Sequence, residues 1–125
     1  MRRRFIAGNW KMNKDLAGAR KLVEALKARG AGTGRVDVGG FPAFVYLAAV
    51  VEAAKGSRIL VGAQNMHHEP SGAYTGEVSA QMILDVGATH VIIGHSERRQ
   101  YFGATDDGVS KHLQAAPPCA LHTIF

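Results

Sequence analysis

Residues 91–99 read Val-Ile-Ile-Gly-His-Ser-Glu-Arg-Arg, so an imidazole, a hydroxyl, a carboxylate and two guanidinium groups follow directly on three β-branched apolar residues. An apolar run of that kind reads as a strand buried on both faces, and α/β folds place ligands and reactions at the carboxyl ends of such strands. Ser96 is a good N-cap and Glu97 suits a first helical turn, so a short helix is expected to about Tyr101. The positive end of that helix favours a neutral ring at His95, one able to donate a hydrogen bond. Taken singly, His95 is more simply a residue beside a capped helix. Recurrence elsewhere in the chain gives it chemical meaning.

The same transition from apolar strand to polar side chains occurs twice more. Phe5–Gly8 closes on Asn9, Trp10 and Lys11, and Ile59–Ala63 closes on Gln64 and Asn65. Between these runs the apolar period changes from strand to helix. Leu16, Ala19, Leu22, Val23 and Leu26 recur at helical spacing before Gly30, and Phe44–Lys55 is apolar on most sides before Gly56. Val36–Gly40 and His90–Ile93 are the remaining strand-like runs, Val78–Val86 is a third helix, and Thr105 caps a last one running to about Ala116. Cys119–Phe125 has strand composition, although Pro117 and Pro118 argue against regular pairing there.

Strands beginning near residues 5, 36, 59 and 90, each followed by a helix, make four βα units. Because parallel crossovers are right-handed, all the strands present their carboxyl ends on one side. Asn9, Lys11, Gln64, Asn65, His95 and Glu97 then share a rim, and six polar residues converging there turn the reading of His95 from a chance residue to a functional one.

The composition is that of one globular α/β domain. The chain has 125 residues, 46% hydrophobic and 20% charged, with a net charge of +5 that Arg2, Arg3 and Arg4 concentrate at one end. No interleaved aromatics accompany those arginines, and no nucleic-acid partner is expected. Cys119 is alone, so no intrachain disulfide can form. With no apolar run near ~18 residues and no signal-like core, a cytoplasmic protein without a membrane partner is expected. Met66–Gly76 is a long connection, and its length alone marks it as functional. It holds His67, His68 and Glu69, but neighbouring side chains of an extended segment point apart, so no metal site is expected.

Four stretches taken together carry a resemblance. They are Gly8-Asn9-Trp10-Lys11-Met12-Asn13, Gly62-Ala63-Gln64-Asn65-Met66, Thr75-Gly76-Glu77-Val78-Ser79 and Gly94-His95-Ser96-Glu97-Arg98-Arg99, and in this order they resemble the triosephosphate isomerase family. The resemblance covers about residues 5–116 and implies the N-terminal half of a (β/α)8 barrel in a single partial domain, with a divergent tail at 117–125. It implies interconversion of dihydroxyacetone phosphate and D-glyceraldehyde 3-phosphate, in glycolysis and gluconeogenesis, without cofactor or metal.

By the same resemblance Asn9 and Lys11 bind substrate, and Lys11 sets a positive charge beside the phosphate and the developing enediolate. His95 polarises the carbonyl and moves protons between the two oxygens. Ser96 and Glu97 support them, with Glu97 pairing to Lys11. Tyr74, Thr75 and Gly76 belong to a loop that family members insert into a partner subunit, which implies a homodimer for the intact family member.

The family's general base, a Glu on the sixth strand, and its glycine-rich lid do not fall within these 125 residues. Little turnover is therefore expected of this chain alone, and the competing reading is a non-catalytic half-barrel that binds an anion or self-associates. Glu77 and Ser79 read as helix-start residues rather than catalytic ones. Ala104 stands where the family usually has Glu, which leaves Arg98 and Arg99 to find another counter-ion, Asp106 or Asp107. Beyond His112 the resemblance is expected to fade, as a shifted reading frame would leave it, and Pro117–Phe125 does not read as the family's fifth strand.

Overall fold

The computed structural model describes residues 3–125. Strand β1 (Arg4–Asn9) leads through Asp15, whose carboxylate accepts from the Gly18 amide at 2.7 Å, into helix α1 (Leu16–Ala28). Ala19 and Val23, one turn apart, are the buried face of α1. Strand β2 (Val36–Phe41) and helix α2 (Phe44–Ala54) follow, with Leu47, Val50 and Ala54 turned inward. Next come β3 (Leu60–Ala63), α3 (Ala80–Asp85) and β4 (His90–Ile92). The chain ends with α4 (Ser96–Tyr101), α5 (Asp106–Ala115), a 3-10 turn at Pro117–Cys119 and β5 (His122–Ile124).

All neighbouring strands pair in parallel, and the sheet order is β1-β2-β3-β4-β5. A doubly wound sheet reverses its order part-way, whereas here every strand lies beside its predecessor, as in a barrel wall. The four expected units are therefore present, and a fifth strand continues them. The expectation that the last residues would not read as that strand fails for a local reason. Pro117 and Pro118 are taken up in the 3-10 turn, Ala120 turns the chain in the left-handed region at φ 60°, and the His122 amide then donates to the Thr89 carbonyl at 2.9 Å. The prolines precede the strand instead of interrupting it.

Two helix starts also differ from expectation. Helix α3 begins at Ala80 rather than Val78, because the Ser79 hydroxyl accepts from the Met82 amide at 3.2 Å and makes Ser79 the cap. At α4 the cap is His95 itself, whose Nδ1 accepts from the Glu97 amide, and Ser96 is the first helical residue.

The hydrophobic core lies between the sheet and its helices. Val61, Ala63, Val91 and Ile93 on the outer face of β3 and β4 meet Leu47, Val50, Ile83 and Val109 from the helices. The opposite face carries Phe5, Phe41, His90 and His122, with ring centroids 5.4 Å apart for Phe5–His90 and 5.0 Å for His90–His122. A Cβ at Gly62 would collide with the Phe41 ring, so glycine there makes room for that stack. Strands β1 and β5 are the two edges of the sheet, and Ile6 on β1 is 62% exposed. Of the basic end, Arg3 is paired to Asp37 at 2.8 Å, while Arg2 lies outside the described residues. Among the described residues no helix is long and apolar enough to cross a membrane.

Candidate functional site

Asn9, Lys11, Gln64, Asn65, His95 and Glu97 line one cleft of about 420 Å³ at the carboxyl ends of β1, β3 and β4. The parallel register brings together residues far apart in the chain. Each strand ends on a polar side chain directed to the same mouth, and Gly94 turns β4 into α4 at φ +72°. Met12, Phe44 and Phe102 form the apolar part of the lining.

Lys11 is held in an unusual way. Its φ is 56°, a left-handed conformation that costs a non-glycine residue about 1–2 kcal/mol. Three contacts hold it there. The Lys11 amide donates to Asn9 Oδ1 at 2.9 Å, the Gln64 amide donates to the Lys11 carbonyl at 2.8 Å, and Lys11 Nζ reaches Glu97 Oε1 at 2.6 Å. Gln64 also donates to the Phe41 carbonyl at 2.8 Å, which ties β1, β2 and β3 together just below the cleft. The hydrogen bond from Lys11 holds the Glu97 carboxyl below the usual carboxylate range, with burial opposing and the Lys11 and His95 charges adding. The Glu97–Lys11 pairing is thus the one that the family resemblance implies.

At His95, Nδ1 accepts from the Glu97 amide at 3.2 Å. With Nδ1 as acceptor, the neutral form of the ring would carry its proton on Nε2, a donor on the far side of the ring from the backbone. Ser96 is exposed in the first turn of α4. The two arginines behind it are accounted for despite Ala104. Arg99 Nη1 meets Asp106 Oδ1 at 2.6 Å, and the Arg98 guanidinium lies 5.0 Å from the centroid of the Phe102 ring.

The long connection is closed at its neck. The His67 amide donates to the Val78 carbonyl at 2.7 Å, and His67 and Ser79 form an isolated bridge. Tyr74, Thr75 and Gly76 project from the closed loop as exposed residues, Tyr74 with its ring 4.3 Å from that of His67. Glu77 is exposed, and Ser79 serves as a helix cap.

The adjacent histidines of this loop do not point apart as expected. Because the segment is bent rather than extended, the His67 and His68 rings lie 4.5 Å apart, and His112 of α5 joins them. Burial, then the neighbouring His68 and His67, lowers the pKa of His112, with Glu77 opposing and Arg98 adding to the lowering. On the sheet, burial and the facing His122 likewise lower His90, against the opposing effect of Asp37.

Sequence reasoning set Gln64 on the rim without seeing that it anchors the Lys11 backbone, and it missed Phe102 and Met12 as apolar lining. An amide immediately after a strand was the available signal for Gln64. Nothing local marks Phe102.

A parallel sheet wound in sequential order, with a cation, amides and an imidazole gathered at its carboxyl rim, has the architecture of the N-terminal half of a (β/α)8 barrel. The family model described as triosephosphate isomerase matches residues 4–125, and the chain belongs to that family. It is 57% identical over 115 residues to a triosephosphate isomerase of Acetivibrio thermocellus, a match covering 92% of this chain and 45% of the relative. One from Moorella thermoacetica is 56% identical over 116 residues, covering 93% and 46%. One from Carboxydothermus hydrogenoformans is 50% identical over 129 aligned positions, covering 100% of this chain and 50% of the relative. The chain thus spans about half the length of the curated relatives it matches. The family model matches to residue 125, whereas the matches to the Acetivibrio thermocellus and Moorella thermoacetica relatives take in 115 and 116 residues.

Proposed function

We propose that this chain carries the substrate-binding and electrophilic half of a triosephosphate isomerase site, acting in the interconversion of dihydroxyacetone phosphate and D-glyceraldehyde 3-phosphate. The single observation that carries the reading is the convergence of Lys11, Asn9 and His95 on one cleft within a chain of this family.

The substrate phosphate and the carbonyl oxygen approach Lys11, which serves them while it stays paired to Glu97. His95 donates from Nε2 to the carbonyl oxygen, so negative charge that develops on the enediolate meets a prepositioned donor and a fixed cation. The neutral ring can release that proton to one oxygen and take one from the other. Asn9 orients both partners through the Lys11 amide. Ser96 and Glu97 hold the rim. Among the described residues, none at the rim is a free carboxylate able to abstract the carbon-bound proton, because Glu97 is engaged by Lys11. That step belongs to a carboxylate outside these residues. Its absence costs about 10²- to 10⁴-fold, so this chain alone turns over little. Tyr74, Thr75 and Gly76 meet a second copy of the family's dimer, and the protein works in the cytoplasm.

The test joins residues 1–115 to the remaining half of the Acetivibrio thermocellus relative. The chimaera is expected to isomerise dihydroxyacetone phosphate, and His95→Gln or Lys11→Met to remove most of the turnover, at least about 10²-fold. A folded, active chimaera whose rate is unchanged by either substitution would overturn the assignment.

A second reading applies to the chain by itself, and the exposed β1 and β5 edges favour it. Without further strands the half-barrel associates with itself, still holding an anion at the Asn9, Lys11 and His95 rim.

A further inference from the structure

We propose that His67, His68 and His112 bind one divalent transition-metal ion of the zinc class, which fastens the 67–79 loop to α5. The three rings come from two elements that the chain brings together only in the folded state. One ring nitrogen from each lies within 4.8 Å of the other two. Ring centroids are 4.5 Å apart for His67–His68, 5.6 Å for His68–His112 and 6.5 Å for His67–His112.

The second observation is chemical. His67 Nε2 and His68 Nδ1 are buried and have no hydrogen-bond partner. Buried polar atoms are almost always satisfied, and two orphans in adjacent rings that face a third imidazole are an arrangement that a cation resolves. Tetrahedral zinc with Zn–N of ~2.0–2.1 Å implies ligand nitrogens roughly 3.3 Å apart. Closing from 4.8 Å therefore takes about 1.5 Å of approach between the farthest pair.

The donor set decides the class of ion. Three neutral imidazoles suit zinc, copper or nickel and are poor ligands for magnesium or calcium, which prefer oxygen. Glu69 lies on the side where metal-bound histidines usually have an outer partner, its Oε1 3.7 Å from His68 Nε2, across the ring from the orphaned Nδ1. A cavity of about 220 Å³ borders His67 and His68 and gives the ion a way in. Since Tyr74 stacks on His67, a metal here stiffens the loop that projects Tyr74, Thr75 and Gly76. The site is about the loop and is independent of the isomerase reading.

The test is calorimetric titration of the metal-free 125-residue chain with zinc chloride, repeated with nickel and with magnesium. One equivalent of zinc is expected to bind in the micromolar range or tighter, with nickel also binding and magnesium not. His112→Gln and His68→Gln are each expected to weaken zinc at least tenfold. His122→Gln, which disables the rival His90–His122 pair on the sheet, is expected to leave it unchanged. Should a substitution unfold the chain by circular dichroism, histidine-ring NMR of the unsubstituted protein decides instead, with zinc-dependent shifts confined to His67, His68 and His112. No saturable binding, binding undiminished in folded His112→Gln and His68→Gln, or ring shifts at other histidines would overturn the proposal.

Discussion

Replacing Lys11 by glycine and, separately, by alanine separates what its backbone costs from what its charge does. At φ 56° any residue with a Cβ carries a left-handed penalty of about 1–2 kcal/mol, and glycine carries almost none. Both substitutions remove the Lys11–Glu97 ion pair, whose partners are 51% and 41% exposed, so its small contribution cancels in the comparison. Glycine loses more backbone entropy on folding, which offsets roughly 0.5–1 kcal/mol of the relief. The glycine variant is therefore expected to be more stable than the alanine variant by about 0.7 kcal/mol, or about 3 °C in Tm for a domain of this size. Urea and thermal unfolding of both variants, followed by circular dichroism, measure the difference. Both variants should also lose affinity for a triose phosphate, because neither supplies the cation. An alanine variant as stable as the glycine variant, or more so, would refute the claim that strain is stored at the site and held there by Asn9, Gln64 and Glu97.

Other outcomes follow from the same geometry. His90 and His112 both have lowered pKa values, so the folded state binds fewer protons than the unfolded chain as pH falls below about 6.5. Stability should be complete above that pH and decline below it, by at most about 1.4 kcal/mol per pH unit for each histidine, and a urea midpoint that does not fall between pH 7.5 and 5.5 would contradict this. Gly62→Val drives a side chain into the Phe41 ring and should cost about 1–3 kcal/mol by urea unfolding. With β1 and β5 unpaired at their outer edges and Ile6 exposed, the chain should self-associate, and a sharp monomer boundary in sedimentation velocity with cooperative unfolding would contradict that.

The alternation of periods from strand to helix was enough to read four βα units and the rim they share, because each strand runs directly into polar residues. What escaped the sequence depended on contacts between distant residues or on backbone conformations that carry no residue signature. Lys11 in the left-handed region looks like any lysine, since contacts that hold it come from Gln64, just past β3, and Glu97 in α4. His95 rather than Ser96 caps α4, an exchange by one position that hydroxyl preference alone would not suggest. The prolines before β5 argued against a strand because composition does not show that a 3-10 turn absorbs them. The His67, His68 and His112 cluster was invisible for the simplest reason: the third ring lies on α5, far along the chain from the loop.

Titrating the ¹⁵N-labelled chain with dihydroxyacetone phosphate, while following the His95 ring and the amides of Asn9 and Lys11 by NMR, tests the convergence of these groups on one ligand most directly. Saturable shifts at all three residues, abolished together in Lys11→Met, are the predicted result. Shifts at His95 that persist undiminished in Lys11→Met, or none at either strand end, would contradict it.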